Sequence, residues 1–144
     1  MKQDGSRIIT CQLIAVVIVL AAVACMFVYG EQPLSADIGP EELTIRGMYG
    51  ISVPLSEIET ISLMEETISD RLPHASRMNG CRGFSGILRG YFSSGSSGDF
   101  MLFGVADAAP TLCITRKNAI DIYISDPDAE KTRALYGALR AALS

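Results

Sequence analysis

From residue 8 to residue 30 the chain reads IITCQLIAVVIVLAAVACMFVYG, without a single Asp, Glu, Lys, Arg, His or Pro. Twenty-three residues wound as a helix extend about 35 Å, against a bilayer hydrocarbon core of about 30 Å. The polar Thr10, Cys11 and Gln12 gather near one end. Such a helix is apolar on every side, and the 114 residues that follow are too few to wrap it. Lipid surrounds it without difficulty, because the helix satisfies its own backbone hydrogen bonds. The expectation is a short flank at 1–7 and a transmembrane helix at 8–30.

Two processed forms compete with a permanent anchor. Ala22-Val23-Ala24 has the small residues of a secretory cleavage site, and with Cys25 it resembles a bacterial lipobox, in which Cys25 becomes the lipidated N-terminus. Against both, the apolar run continues through Met26, Phe27, Val28 and Tyr29, so cleavage leaves a greasy new end. Lys2 and Arg7 precede the span, whereas Glu31, Asp37, Glu41 and Glu42 follow it. Positive residues stay on the cytoplasmic side. The expected location is the cell membrane, crossed once, with a cytoplasmic N-terminus and an extracytoplasmic C-terminal domain.

Without its first 30 residues the chain carries 15 acids and 10 bases, a net charge of −5. This is the composition of an ordinary globular domain, not of a disordered chain, a collagen, a histone-like basic binder or a multispan transporter. Cys81 and Cys113 lie in the domain, where they form either one disulfide, if the domain is exported, or a loop thiol and a small strand residue. No CxxC or Cys/His cluster points to zinc or another metal.

Residues 31–40, QPLSADIGP after Glu31, read as a linker because Pro33, Gly39 and Pro40 discourage regular structure. The domain then occupies 41–144. Leu43 and Ile45, then Ile51, Val53 and Leu55, then Ile61 and Leu63 recur with strand periodicity. Residues 65–85 break that rhythm and read as a long connection with one helical turn near 65–71. Strands resume at 86–94 and 99–105 around the Ser/Gly hairpin loop at 93–98, and again around Leu112 and Ile114 and around Ile120, Ile122 and Ile124. Asp126 is placed to cap a last helix over about 126–143, with Pro127 at its first position and Leu135, Tyr136, Leu139 and Leu143 on one face. About seven antiparallel strands followed by one amphipathic helix make a mainly β fold, a small barrel or orthogonal sandwich plugged by the helix.

Several strings in this order resemble the bacterial pleckstrin-homology-like (bacterial PH domain) family in a membrane-anchored form. They are Leu43-Thr44-Ile45-Arg46-Gly47-Met48-Tyr49-Gly50, Val53-Pro54-Leu55-Ser56-Glu57-Ile58, Arg77-Met78-Asn79-Gly80, Gly86-Ile87-Leu88-Arg89-Gly90-Tyr91-Phe92, Leu102-Phe103, and Ile122-Tyr123-Ile124-Ser125-Asp126-Pro127 with Thr132 and Leu135-Tyr136. The resemblance covers about residues 41–140. It implies a PH-like barrel of two near-orthogonal sheets capped by the C-terminal helix, acting as a binding and scaffolding module with no catalytic residues. Phosphoinositide-binding relatives place several bases in the first hairpin; here Arg46 stands there alone, so no phosphoinositide motif is present.

Arg71, Arg77, Arg82 and Arg89 form the densest basic stretch, with His74 inside it and no acid between Asp70 and Asp99. Guanidinium groups pair well with phosphate and carboxylate, so these four are a candidate anion site. The bland alternative is a solvated loop whose arginines pair with Glu57, Glu59, Glu65 or Glu66. The nearby glycines fit neither GxGxxG nor a Walker loop. His74 with Asp70 and Ser76 lacks a nucleophile elbow and an oxyanion hole, so no residue is assigned to catalysis and no cofactor is called for. An acidic domain without a basic stripe does not suit nucleic acid. The sequence therefore favours a non-enzymatic module at the membrane that binds a protein partner or its own copies. The alternatives are an anionic-ligand or lipid-headgroup sensor and a lipoprotein modified at Cys25.

Overall fold

The computed structural model describes residues 2–83 and 85–144. Helix α1 (Lys2–Gly30) is continuous. Its segment Gly5–Gly30 is long and apolar enough to cross a membrane, and none of its apolar window is buried by the domain. The helix takes in the flank that was expected to precede it. Extending an existing helix costs little, and Lys, Gln and Arg are good helix formers.

A three-stranded antiparallel sheet follows: β1 (Ser35–Ile38), β2 (Glu42–Arg46) and β3 (Ile51–Pro54), in that order. Strand β1 lies within the segment expected to be an irregular linker. Pro33 and Pro40 bound it rather than interrupt it, and Ser35 to Ile38 pair with Arg46 to Leu43. A 3-10 turn at Leu55–Glu57 then carries the chain into a six-stranded sheet. Its strands are β4 (Ile58–Met64), β5 (Ser76–Arg82), β6 (Ile87–Ser94), β7 (Gly98–Val105), β8 (Thr111–Arg116) and β9 (Asp121–Ser125). They lie in the order β4-β8-β9-β7-β6-β5. Two helices complete the chain, the single turn α2 (Ile68–Arg71) and α3 (Ala129–Leu143).

The coarse expectation holds: the domain is mainly β with a C-terminal helix. Among the described residues no hydrogen-bonded ladder joins the two sheets, so they stack without closing. One pair also departs from the antiparallel pattern, because β9 runs parallel to β7. The β7–β8 connection steps over one strand position, and β9, returning antiparallel from β8, fills it. Strand β5 falls in the stretch read as a long connection. It is an edge strand with a bulge between Arg77 and Asn79 and little apolar alternation to announce it.

Both faces of the large sheet are buried, which is why β7 and β9 read as nearly continuous apolar runs. On the inner face Met101, Phe103, Leu112, Ile114, Ile122 and Ile124 pack against Leu43, Ile45 and Val53 of the small sheet and Leu139 of α3. On the outer face Leu88, Phe92, Phe100, Leu102 and Tyr123 pack against Ile68 and Leu72 around α2. Each fully buried Leu or Ile contributes about 1.5–3 kcal/mol.

Helix α3 begins two residues later than its sequence suggests. Asp128, not Asp126, is the cap, accepting from the Glu130 amide at 3.1 Å. Asp126 is buried just upstream, where its carboxylate accepts from the Asp128 amide at 2.8 Å and its own amide donates to Thr132 Oγ1 at 3.0 Å.

The cysteines are all free. Cys81 lies opposite Arg89, which lies opposite Phe103, on the inner face; Cys113 lies opposite Tyr123 on the outer face. Four strand spacings separate β5 from β8, about 19 Å. A disulfide needs Cα atoms within about 7 Å, so the two thiols of one domain do not pair.

Arg133 of α3 donates both amino groups to Glu65, at 2.8 and 2.9 Å. Arg133, by hydrogen bonding first and by charge second, holds the Glu65 carboxyl below its ordinary value of 4.5. A lowered carboxyl stabilises the fold above its unfolded value and loses that contribution as pH falls through the folded one. Glu65→Gln is expected to lower the thermal midpoint slightly at pH 7, and the difference from wild type should vanish as the pH is taken well below 4.5 or as salt is raised. Thermal melts across pH and ionic strength check this.

Candidate functional site

The four arginines of the predicted patch do not form one patch. Arg89 is the exception, because it points to the inner face and is only 3% exposed. Strand β6 is covered on both sides, so its Leu88 and Phe92 serve the outer core while Arg89, of opposite parity, turns inward. There its Nη2 donates to the Gln32 carbonyl, just beyond the end of α1. Its Nη1 lies against Gly47, where φ is 105° and an added Cβ would stand 3.2 Å from the guanidinium. Burial pushes the Arg89 pKa down, opposed by Cys81 and Glu31, but a guanidinium keeps its charge.

This arginine is the centre of a joint between helix and domain. The Glu31 amide continues the helical pattern by donating to the Phe27 carbonyl at 3.0 Å. The Glu31 carboxylate accepts from Ser85 Oγ at 2.7 Å. A Cβ at Gly83 would meet that same carboxylate, so a side chain there would require the tip of Glu31 to shift. Gly30 is buried, and a Cβ on it would touch Cys81 Sγ at 3.7 Å and Met48 Cε at 4.0 Å. The β2–β3 hairpin closes over the joint, with Tyr49 Oη donating to Asn79 Oδ1 at 3.2 Å. The apolar helix is thus seated on the domain through its last turn.

Two hollows lie beside the joint on the same side of the domain. One, about 320 Å³, is lined by Arg89, Glu31, Asp126, Asp128 and Lys131 among others, a mixture of charges that selects no sign. The other, about 540 Å³, is a groove between β1 and α3 lined by Leu34, Ala36, Ile38, Leu135, Ala138 and Lys131. Strand β1 pairs with β2 on one side and presents its other edge beside this groove.

On the outer face, Arg77 and Arg82 do come together. They share a hollow of about 280 Å³ with Ala75 and Phe92. A second hollow of about 210 Å³ adjoins it through Ala75, Arg82 and Phe92, and adds His74 and Ser69. His74 sits at φ 96°, a conformation that a side chain rarely adopts. Arg71 lies at the end of α2, exposed and outside both linings. Among the described residues none of Glu57, Glu59, Glu65 and Glu66 makes an ion pair with these arginines, and Glu65 pairs instead with Arg133. Cys25 lies within α1, five residues from its end, on an unbroken stretch of helix.

Elsewhere on the outer face burial pushes the Cys113 thiol up and, with Cys113 beside it, raises Tyr123 to about 12. Both are therefore neutral packing groups at physiological pH. The sequence reading missed Glu31, Gln32, Gly83, Ser85 and the inward turn of Arg89. The parity of Arg89 with Tyr91, against Leu88 and Phe92, is the only trace of that turn in the sequence.

Replacing Arg89 by Leu leaves the Gln32 carbonyl without its donor. A hydrogen bond to a charged group contributes about 1.5–3 kcal/mol, so protection of the Glu31 amide, which donates to the Phe27 carbonyl, should fall about tenfold or more while β7 and β9 stay protected. Hydrogen exchange of the full chain measures both, and unchanged protection at Glu31 would show that the joint does not depend on Arg89.

Comparison with protein-family models, with curated proteins and with solved structures gave no match to this chain. The reading of its function accordingly rests on the residues and their geometry.

Proposed function

We propose that this chain is a single-pass membrane protein whose β domain is a non-enzymatic binding or scaffolding module held against the bilayer, with its N-terminus cytoplasmic and its domain on the other side. The observation that carries the reading is the joint. An apolar helix exposed from Gly5 to Tyr29 ends in a buried glycine and is fastened to the domain by Glu31, Gln32 and Arg89. Exposed apolar surface on that scale is unfavourable in water and favourable in lipid. A domain fastened directly to such a helix is confined to within a few nanometres of the membrane surface.

The groove between β1 and α3 supports a protein partner or a second copy as the bound species. Among the described residues no strand pairs with the outer edge of β1, and an open edge beside a groove of mixed apolar and polar lining offers main-chain hydrogen bonds and side-chain pockets together, the two ingredients of strand addition. The pleckstrin-homology-like resemblance is supported by the order of strands followed by one helix; the open sheets and the parallel β7–β9 pair are where this chain departs from the closed barrel it implies.

The full-length protein is expected to remain in the membrane pellet after alkaline carbonate extraction, at its unprocessed mass. Release into the supernatant overturns the anchored reading. A mobility shift abolished by Cys25→Ser would replace it with the lipidated form. A photo-crosslinker at Ala36 in such membranes is expected to give a discrete adduct, at twice the chain mass for self-association, that is missing when it is placed at the exposed Asn118 instead. Equal labelling at both positions would discard the groove as the binding surface.

A further inference from the structure

We infer that Arg77 and Arg82, with His74 beside them, form a site for the anionic headgroup of a phospholipid in the leaflet that α1 leaves; this rests on the membrane-spanning reading of α1. The charge is one-sided. Neither of the adjoining outer hollows is lined by an acid, and among the described residues neither arginine makes an ion pair. This sets the outer cleft apart from the hollow at Arg89, where three carboxylates answer the bases. The floor of the cleft is apolar, made by Phe92, Leu72 and Ala75. Two guanidinium forks over an apolar floor suit a phosphate carried on a greasy body better than a freely hydrated anion.

Position supplies the second argument. Gly30 ends the apolar helix, and so marks the edge of the hydrocarbon when the helix spans. Cys81 is in contact range of Gly30, and Gly83 abuts Glu31. Arg82 lies between them on the backbone, one residue from each. The headgroup layer beyond the hydrocarbon is about 5–8 Å thick on each side. Arg82 therefore sits within it, at the membrane end of β5, and Arg77 lines the same cleft farther along the strand. The inward-facing neighbour Cys81 meets the helix while the outward-facing Arg82 meets the headgroups, a division fixed by the period of two of the strand.

Full-length protein in non-ionic detergent is titrated with short-chain phosphatidylglycerol, short-chain phosphatidylcholine and inorganic phosphate, and bound molecules are counted by native mass spectrometry. Phosphatidylglycerol is expected to bind about tenfold more tightly than phosphatidylcholine, and the Arg77→Gln/Arg82→Gln variant should bring the two lipids to parity. Arg77→Lys/Arg82→Lys should keep most of the preference, which separates lost charge from lost fold. Arg46→Gln, at a residue paired with Asp37 on the small sheet, should leave it unchanged. An undiminished preference in the double Gln variant overturns the site, and so does inorganic phosphate occupying it at the same concentration as the lipid, which would make it a free-anion site. Carbonate extraction of the membranes from which the protein is purified reports separately on the anchor: a chain that resists extraction yet shows no lipid preference fails this inference alone.

Discussion

The six-stranded sheet is buried on both faces, and most of what is particular to this chain follows from that. With the small sheet and α3 on one side and α2 with its flanking loop on the other, central strands have no solvent side, so β7 and β9 are apolar at nearly every position. Polar residues are pushed to the edge strands or forced inward, where they must find a partner. Arg89 is a charged residue forced inward. Its charge is accommodated because the end of α1 brings a carbonyl, and Glu31, to meet it. The arginines of β5 escape outward because β5 is the edge.

The helix and the domain are consequently not two independent bodies on a flexible tether. Helical hydrogen bonding runs as far as the Glu31 amide, Gly30 is already in contact with the domain, and strand β1 starts a few residues later. Any tilt or rotation of α1 has to be carried by Arg89, Ser85 and the β2–β3 turn. These same residues lie between the groove at β1 and the arginine cleft on the far side. The joint therefore stands between the two surfaces proposed above as binding sites.

Much of this architecture was legible in the sequence. The charge-free run at 8–30, the Ser/Gly hairpin, the strands around Leu112 and Ile122 and the last helix all carry strong periodicity or turn chemistry, and each forms in its expected segment, though the two long helices begin at other residues. What was not legible depended on long-range pairing. Strand β1 has only four residues, Ser35 to Ile38, and its alternation is too short to stand out between Pro33 and Pro40; it forms against the edge that β2 offers. Strand β5 is written in Arg, Asn, Gly and Cys, poor strand formers that β6 enlists as an edge. The parallel placement of β9 is set by the reach of one connection, which no local pattern encodes. Of the candidate site, proximity in sequence gathered four arginines, but the twofold alternation of a strand divided them, sending Arg82 outward and Arg89 inward.

Cys81 and Cys113 stand on opposite faces of the sheet, four strands apart. The domain therefore gains nothing from an oxidant and loses nothing to a reductant. No sulfur bridge within the domain ties its fold to an oxidising compartment, and any bridge these thiols make joins two molecules rather than two strands of one.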